Sequence, residues 1–298
     1  MKKSVSLLLA GLMLCGALAG CGGNTTESTE STGDAAQTET TGTSGAIHVV
    51  SREDGSGTRG AFVELTGVED DNGDNTTVDA EIANRTDAVL TTVAGNEAAI
   101  GYVSLGALND TVKAVKVDGV EATVDNVKSG TYTLSRPFNI ATKGEPTGVA
   151  ADFINFIMSA DGQAIVTEEG YITINDNAEA FTSDGSSGQI AVGGSSSVSP
   201  VMEKLIEAYK AVNPNAQIDL QTSDSTSGMT GAMDGTFAIG MASRELKDEE
   251  AAELTGQAIA MDGIAVIVNT ANTVEDLTMD QIRGIYVGEI TDWADVTA

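Results

Sequence analysis

Residues 51–62 read Ser51-Arg52-Glu53-Asp54-Gly55-Ser56-Gly57-Thr58-Arg59-Gly60-Ala61-Phe62, after a β-prone lead-in from Ile47 to Val50. A strand that runs into a small polar turn and then into a helical pattern aims free backbone N–H groups at one point. Ser56 and Thr58 add hydroxyls, the helix start adds the positive end of its dipole, and Arg52 stands beside them. An oxyanion is the ligand such a turn suits.

Two more segments repeat the design. Gly193-Gly194-Ser195-Ser196-Ser197-Val198-Ser199-Pro200 precedes a helical pattern at 201–212, and Ser223-Asp224-Ser225-Thr226-Ser227-Gly228 precedes another at 229–233. Ser199 is placed to cap the first of these helices, and Pro200 suits its first turn. Val201, Leu205, Ile206 and Tyr209 mark its buried face. One Ser/Gly-rich helix start is an ordinary capped helix. Three in one chain, with no competing catalytic residues, point to a shared anion site.

The chain has 298 residues, and its start reads as an export signal. Lys2 and Lys3 precede an apolar run from Val5 to Leu18, then Leu18-Ala19-Gly20-Cys21. This reads as a signal over 1–20 ending in a lipobox, with acylation expected at Cys21. The run is short for a membrane span. Cys15 leaves with the signal, so the folded part is expected to hold no free cysteine and no disulfide. Residues 21–45, rich in Thr, Ser, Gly and Glu, read as a disordered tether between lipid and domain. Roughly 250 residues follow, enough for two α/β lobes.

The formal net charge is −29, from 44 acidic against 15 basic residues. Such a surface argues against nucleic acid and against anionic lipid headgroups. It does not argue against a small anion, because hydrogen-bond donors act over about 3 Å while surface charge is screened over about 8–10 Å. His48 is the sole histidine, which removes most metal and acid–base machinery and leaves it a structural role in the lead-in strand. Asp70, Asn72, Asp74 and Glu81 match positions 1, 3, 5 and 12 of a calcium loop, but Asn75 stands where glycine is wanted. An acidic solvated turn is expected there, and no metal or cofactor. The absence of a nucleophile elbow or second histidine makes a hydrolase a poor reading.

Along the chain, strand patterns at 98–103, 112–117, 134–140, 190–192, 217–220, 237–241 and 258–269 alternate with helical ones. Alternation indicates α/β lobes. The polar stretch 177–188 reads as a linker.

Several segments resemble the high-affinity phosphate-binding proteins (PstS type) that serve ABC phosphate importers. They are IAVGGSSSVSPVMEKLIEAY (190–209), FAIGMASRELKDEE (237–250), AIAMDGIAVIVN (258–269) and IYVGEITDWADV (285–296). In the family's order VVSREDGSGTRGAF comes next; here it lies at 49–62, followed by AIGYVSLGAL (99–108), LSRPFNIATKG (134–144) and FINFIMSADGQAIVTEEGYI (153–172). The order resembles a circular permutation, with 177–188 joining the family's usual ends. A fragment of a tandem array or a swapped dimer are the other arrangements that fit.

The resemblance implies an α/β, two-lobe periplasmic-binding-protein-like (class II) fold with two hinge strands and a ligand in the cleft. With hinges near AMDGIAVIV (260–268) and AIGYVSLG (99–106), one lobe (A) is expected at 104–264 and the other (B) at 46–103 plus 265–298. Trp293 and Val296 must then lie near Ile47–Val50. The family's phosphate contacts map onto Arg52, Ser56, Gly57 and Thr58, with Asp54 expected to orient Arg52, and onto Ser196 and Ser197. In the second loop Thr226 matches best, with Ser225 and Ser227 as register alternatives. Some members carry an aspartate where this chain has Arg244, which leaves two readings: a second cationic contact, or an arginine turned toward the acidic helix DEEAAEL (248–254). The implied activity is non-enzymatic: a lipid-anchored, extracytoplasmic monomer binds inorganic phosphate and delivers it to the transmembrane subunits of an ABC permease. Sulfate, phosphonate or arsenate binding, and sensing without transport, are the alternatives.

Overall fold

The computed structural model describes residues 43–296. The expected signal, Cys21 and most of the tether lie outside the described residues. Thr43 and Gly45, expected to belong to the tether, are tied down: the Thr43 N–H reaches the Thr273 hydroxyl at 2.7 Å, and the Gly45 N–H reaches Asp292 at 3.0 Å.

The chain runs through β1 (His48–Arg52), α1 (Gly57–Thr66), β2 (Glu69–Asp70), β3 (Gly73–Asp74), β4 (Glu81–Ala83), α2 (Thr86–Gly95), β5 (Ala99–Ser104), β6 (Val112–Ala114), β7 (Lys116–Val117) and α3 (Val124–Lys128). It continues with β8 (Ser135–Thr142), α4 (Val149–Met158), α5 (Ala160–Glu168), β9 (Gly188–Ser195), α6 (Ser199–Val212) and β10 (Ala216–Ser223). The last elements are α7 (Ser225–Asp234), β11 (Ile239–Ala242), α8 (Asp248–Ala251), β12 (Thr255–Asn269), β13 (Asp276–Leu277) and α9 (Met279–Tyr286).

Nine strands form one sheet in the order β10-β9-β11-β8-β12-β5-β1-β4, with β6 also on β12. Its two flanks are parallel, β10-β9-β11 on one side and β5-β1-β4 on the other. The antiparallel strands β8 and β12 join them. Strand β12 is shared: 255–263 pair with β8, and 264–268 pair with β5. Parallel flanks matter for function, because ligands collect beyond the carboxyl ends of such strands. The carboxyl ends of β1, β9 and β10 feed directly into α1, α6 and α7.

Two large clusters dominate the hydrophobic core, with two smaller ones beside them. Phe138, Phe153, Ile157, Val192, Leu205 and Tyr209 belong to one cluster (lobe A), and Val49, Phe62, Tyr102, Val266, Tyr286 and Trp293 to another (lobe B). Val115, Val117, Val127, Tyr132 and Leu134 pack in the second cluster, so 112–134 joins lobe B. The β8–β12 pairing ends at Ser135 and Gly263, and just beyond it the Ile264 N–H meets the Leu134 carbonyl at 2.8 Å. Strand β6 adds to the far half of β12 and β7 pairs with β13, partners that leave no mark in local sequence.

The first and last described segments meet, as expected. Ala46 bridges Asp292, the Ile47 N–H donates to Thr291 O at 2.8 Å, and the Trp293 indole donates to Ala98 O at 2.9 Å. Stretch 177–188 has no regular structure except its last residue in β9, yet it is strapped to lobe A. Phe181 packs against the core, and Ser183 and Asp184 donate to the Asp152 carboxylate. Those donors, with Tyr209 and Asn213, hold Asp152 below its ordinary pKa although burial pushes the other way.

Candidate functional site

Helix α7 reaches the site because glycine lets it sink against β9 and β11. A side chain at Gly228 would start 2.6 Å from Met241 O and 2.7 Å from the Gly194 Cα. Gly194 itself has φ +135°, with Met241 O 2.3 Å from where its Cβ would stand. Only glycine fits both positions. The reward is that α7 starts beside the end of β9, and the Thr226 N–H reaches Gly55 O of the 53–58 turn at 3.1 Å.

The three Ser/Gly turns converge. From lobe B, the Arg52 Nη2 donates to the Ser196 hydroxyl at 3.2 Å, and the Thr58 and Ser197 hydroxyls lie 2.9 Å apart. Arg52, Thr58, Ser196 and Ser197 are all buried. Behind them the Ser195 hydroxyl donates to Ser243 at 3.0 Å, and the Ser243 N–H donates to the Ser225 hydroxyl at 3.1 Å. Gly57 faces this pair: a Cβ there would meet the Ser225 Oγ at 2.3 Å and the Ser243 Oγ at 2.8 Å. Ser56 caps α1 by accepting from the Arg59 N–H. The end of β1 is itself fixed, since the Tyr102 hydroxyl meets Ser51 Oγ at 2.8 Å and its ring stacks on Phe62 at 3.9 Å. Burial pushes that phenol up to about 12, so it stays neutral.

This is a buried cluster of hydroxyls that both donate and accept, set at helix starts beside a guanidinium. It offers no nucleophile–base pair. Its chemistry is recognition of a compact, multiply accepting anion.

Comparison with known proteins agrees. The PBP superfamily domain matches residues 30–161 and 179–298. The chain is 48% identical over 303 residues to the phosphate-binding protein PstS 2 of Streptococcus agalactiae, covering 99% of this chain and 98% of that one. The chain belongs to the PstS family. The PstS 2 protein of Streptococcus pneumoniae is 44% identical over 296 residues, 98% of each chain. A crystal structure of a phosphate-binding protein of a phosphate ABC transporter from S. pneumoniae TIGR4 superposes with a TM-score of 0.70 at 46% identity, covering 85% of this chain and all of that one. PstS of Bacillus subtilis matches a shorter region, 37% identical over 134 residues, which is 44% of this chain.

Set on the PstS pattern, most residues read from sequence stand together, and several details differ. Asp54 does not orient Arg52. It pairs with Arg59, which also binds Asp74 and donates to Arg52 O. Glu53 takes the expected role, receiving the Arg52 Nε and Nη2 at 2.8 Å each. Ser227 is not in the cluster: its N–H and hydroxyl both serve Asp224, the cap of α7. Of the register alternatives, Ser225 is fully buried under Gly57, while Thr226 Oγ1 accepts from the Arg244 Nη2 at 3.3 Å. Ser199 is no cap either. Val198 holds that position, and the Ser199 hydroxyl donates back to Ser195 O.

Arg244 combines both readings. Two nitrogens grip Glu250 at 2.7 and 2.8 Å, while the edge of the same group reaches Thr226. Burial would raise the Glu250 carboxyl, but Arg244 and the Lys247 N–H hold it below its ordinary value. The acidic loop is occupied internally: Asp74 serves Arg59 and Thr76, and Glu81 receives His48 Nε2 at 2.8 Å. Sequence reading passed over Ser195, Ser243 and Thr86. Ser195 lies inside the 193–200 Ser/Gly turn and Ser243 inside FAIGMASRELKDEE, yet neither had a role; Thr86 has no Ser/Gly-rich signal near it.

Proposed function

We propose that this chain captures inorganic phosphate outside the cell and hands it to the membrane subunits of an ABC importer. The observation that carries the reading is the meeting of Arg52, Thr58, Ser196 and Ser197, from two lobes, within 2.9–3.2 Å of one another in pairs. Donors split between lobes make a ligand favour the closed state, which is how binding drives hinge closure. Each charge-assisted hydrogen bond contributes about 1.5–3 kcal/mol net, so several of them, less ordering costs, support micromolar or tighter affinity at about −8 kcal/mol. The relatives' names, all phosphate-binding proteins, point the same way. Calorimetry of the protein with phosphate and then sulfate tests it: micromolar or tighter phosphate binding is expected, and no heat with either anion would overturn the reading.

A second reading, another tetrahedral oxyanion, is favoured by one observation. The carboxylates that pair with the two arginines of the site, Glu53 and Glu250, are spent on those guanidiniums and are not free to accept a hydrogen bond from a protonated phosphate. The sulfate arm of the same titration decides it.

We further propose anchoring through acylated Cys21, action as a monomer, and a permuted segment order. The permutation is supported by the pairing of 45–47 with 291–293, and by a B. subtilis match that spans under half the chain where the streptococcal ones span nearly all of it.

A further inference from the structure

Three groups of lobe B reach the Ser196–Ser197 pair, and only two of them have been given a role. The third is Thr86, the first residue of α2. Its hydroxyl lies 3.3 Å from the Ser196 Oγ and 3.2 Å from the Ser197 Oγ, and the residue is 7% exposed. Ser196 is the residue Arg52 binds, and Ser197 the one Thr58 binds. Thr86 therefore closes the cluster between them.

Its position is set by rigid packing. Val89 and Val93 seat α2 on β5, with Gly101 so close beneath that a Cβ there would meet both at 2.9–3.0 Å. The preceding residue, Arg85, is extended (φ −158°) and caps nothing with its side chain; it turns aside to pair with Asp87. No side chain caps the helix, so its start adds a further favourable field at the same point.

We propose that Thr86 is a third lobe-B ligand of the tetrahedral anion, completing with Arg52 and Thr58 the half-site that closes on Ser196 and Ser197. This rests on the anion-binding reading above. In the described structure the hydroxyls satisfy one another across the cleft. A bound oxyanion replaces those mutual bonds by bonds to itself, and a hydroxyl, unlike a guanidinium, can also accept a hydrogen bond from a protonated phosphate oxygen.

The test is phosphate calorimetry with stopped-flow release on Thr86→Val, an isostere without the hydroxyl, and on Thr86→Ser, which restores it. Thr86→Val is expected to weaken phosphate about 5- to 20-fold, chiefly through faster release, with Thr86→Ser within about twofold of wild type. Thr91→Val, on the same helix with its hydroxyl bonded to Asp87 O, should leave affinity unchanged. Should Thr86→Val fold poorly, Thr86→Ala gives the same readout. Unchanged affinity in the Thr86 variants, while Arg52→Ala weakens binding, would overturn this inference and leave the site standing. Unchanged affinity in Arg52→Ala as well would overturn the site itself.

Discussion

Arg52 and Arg244 start from the same chemistry and end with different work. Each guanidinium is gripped by both oxygens of a near neighbour, Glu53 or Glu250, and each sends one nitrogen to a site hydroxyl, Ser196 or Thr226. Arg52, at the end of β1, is 2% exposed and lies among the hydroxyls. Arg244 lines cavities of about 500 and 380 Å³ that hold Gly60 and Lys247 as well. Its carboxylate is also the more deeply buried, 3% exposed for the Glu250 side chain against 21% for Glu53. The difference teaches that an arginine's charge does not assign its role. Arg52 can turn toward a ligand because its partner sits at a wet edge; Arg244 is committed to holding a buried acid.

The comparison breaks most readily at Arg52. Arg52→Ala removes the guanidinium and leaves Glu53 facing the anion, so phosphate binding should weaken at least tenfold and toward about 100-fold, from about 1.5–3 kcal/mol per charge-assisted bond lost. Calorimetry reads this directly, and the melting temperature without phosphate should move little. Gly57→Ala comes next. A methyl 2.3 Å from the Ser225 Oγ wedges the two turns apart, and an affinity loss of about tenfold is expected without loss of fold. Normal affinity in Gly57→Ala would mean that closure does not bring these turns as near as the structure has them.

Arg244→Ala should invert the pattern. Phosphate affinity should change by less than about threefold, while stability falls by about 1–3 kcal/mol because Glu250 is left buried without its partner. Adding Glu250→Gln should recover much of that loss. A large affinity defect with intact stability would instead make Arg244 a ligand of the same rank as Arg52.

Sequence carried the parts of this fold that are local or repeated. The three Ser/Gly helix starts, the buried face of α6 and the approach of 291–293 to the segment leading into the first strand are all present. What it missed depends on pairing at a distance. Glu53 and Asp54 are adjacent acids beside one arginine, and only the placement of Arg59 decides which of them Arg52 receives. Ser199 looks like a cap until the 195–198 turn takes that place. Segment 112–134 changes lobe because β12 is long enough to serve both, a property of the whole strand rather than of its neighbours. Thr86 is silent in sequence for the same reason: a threonine opening a helix is ordinary until a second lobe closes on it.

The smallest expected effect concerns a third buried arginine, where the two lobes join. Arg136 and Asp262 lie 3.1 Å apart, both buried, and Ser104 donates to the same carboxylate at 2.9 Å. Burial pushes the Asp262 carboxyl up to about 6 from its ordinary 3.8, against the pull of Arg136 and Ser104. A carboxyl whose folded-state pKa is raised holds its proton more tightly folded than unfolded, so its contribution is complete below about pH 4 and lost as pH rises through about 6. Wild type should therefore lose stability relative to Asp262→Asn between pH 4 and 7, by about 1–3 kcal/mol. Taking the difference cancels the repulsion of the remaining surface acids, which both proteins share. Urea unfolding of the pair at pH 4.5 and 7 reads it, and phosphate affinity at pH 7 should hardly change. A difference that is flat with pH would mean that water reaches Asp262 at the junction and that its partner is not sealed in.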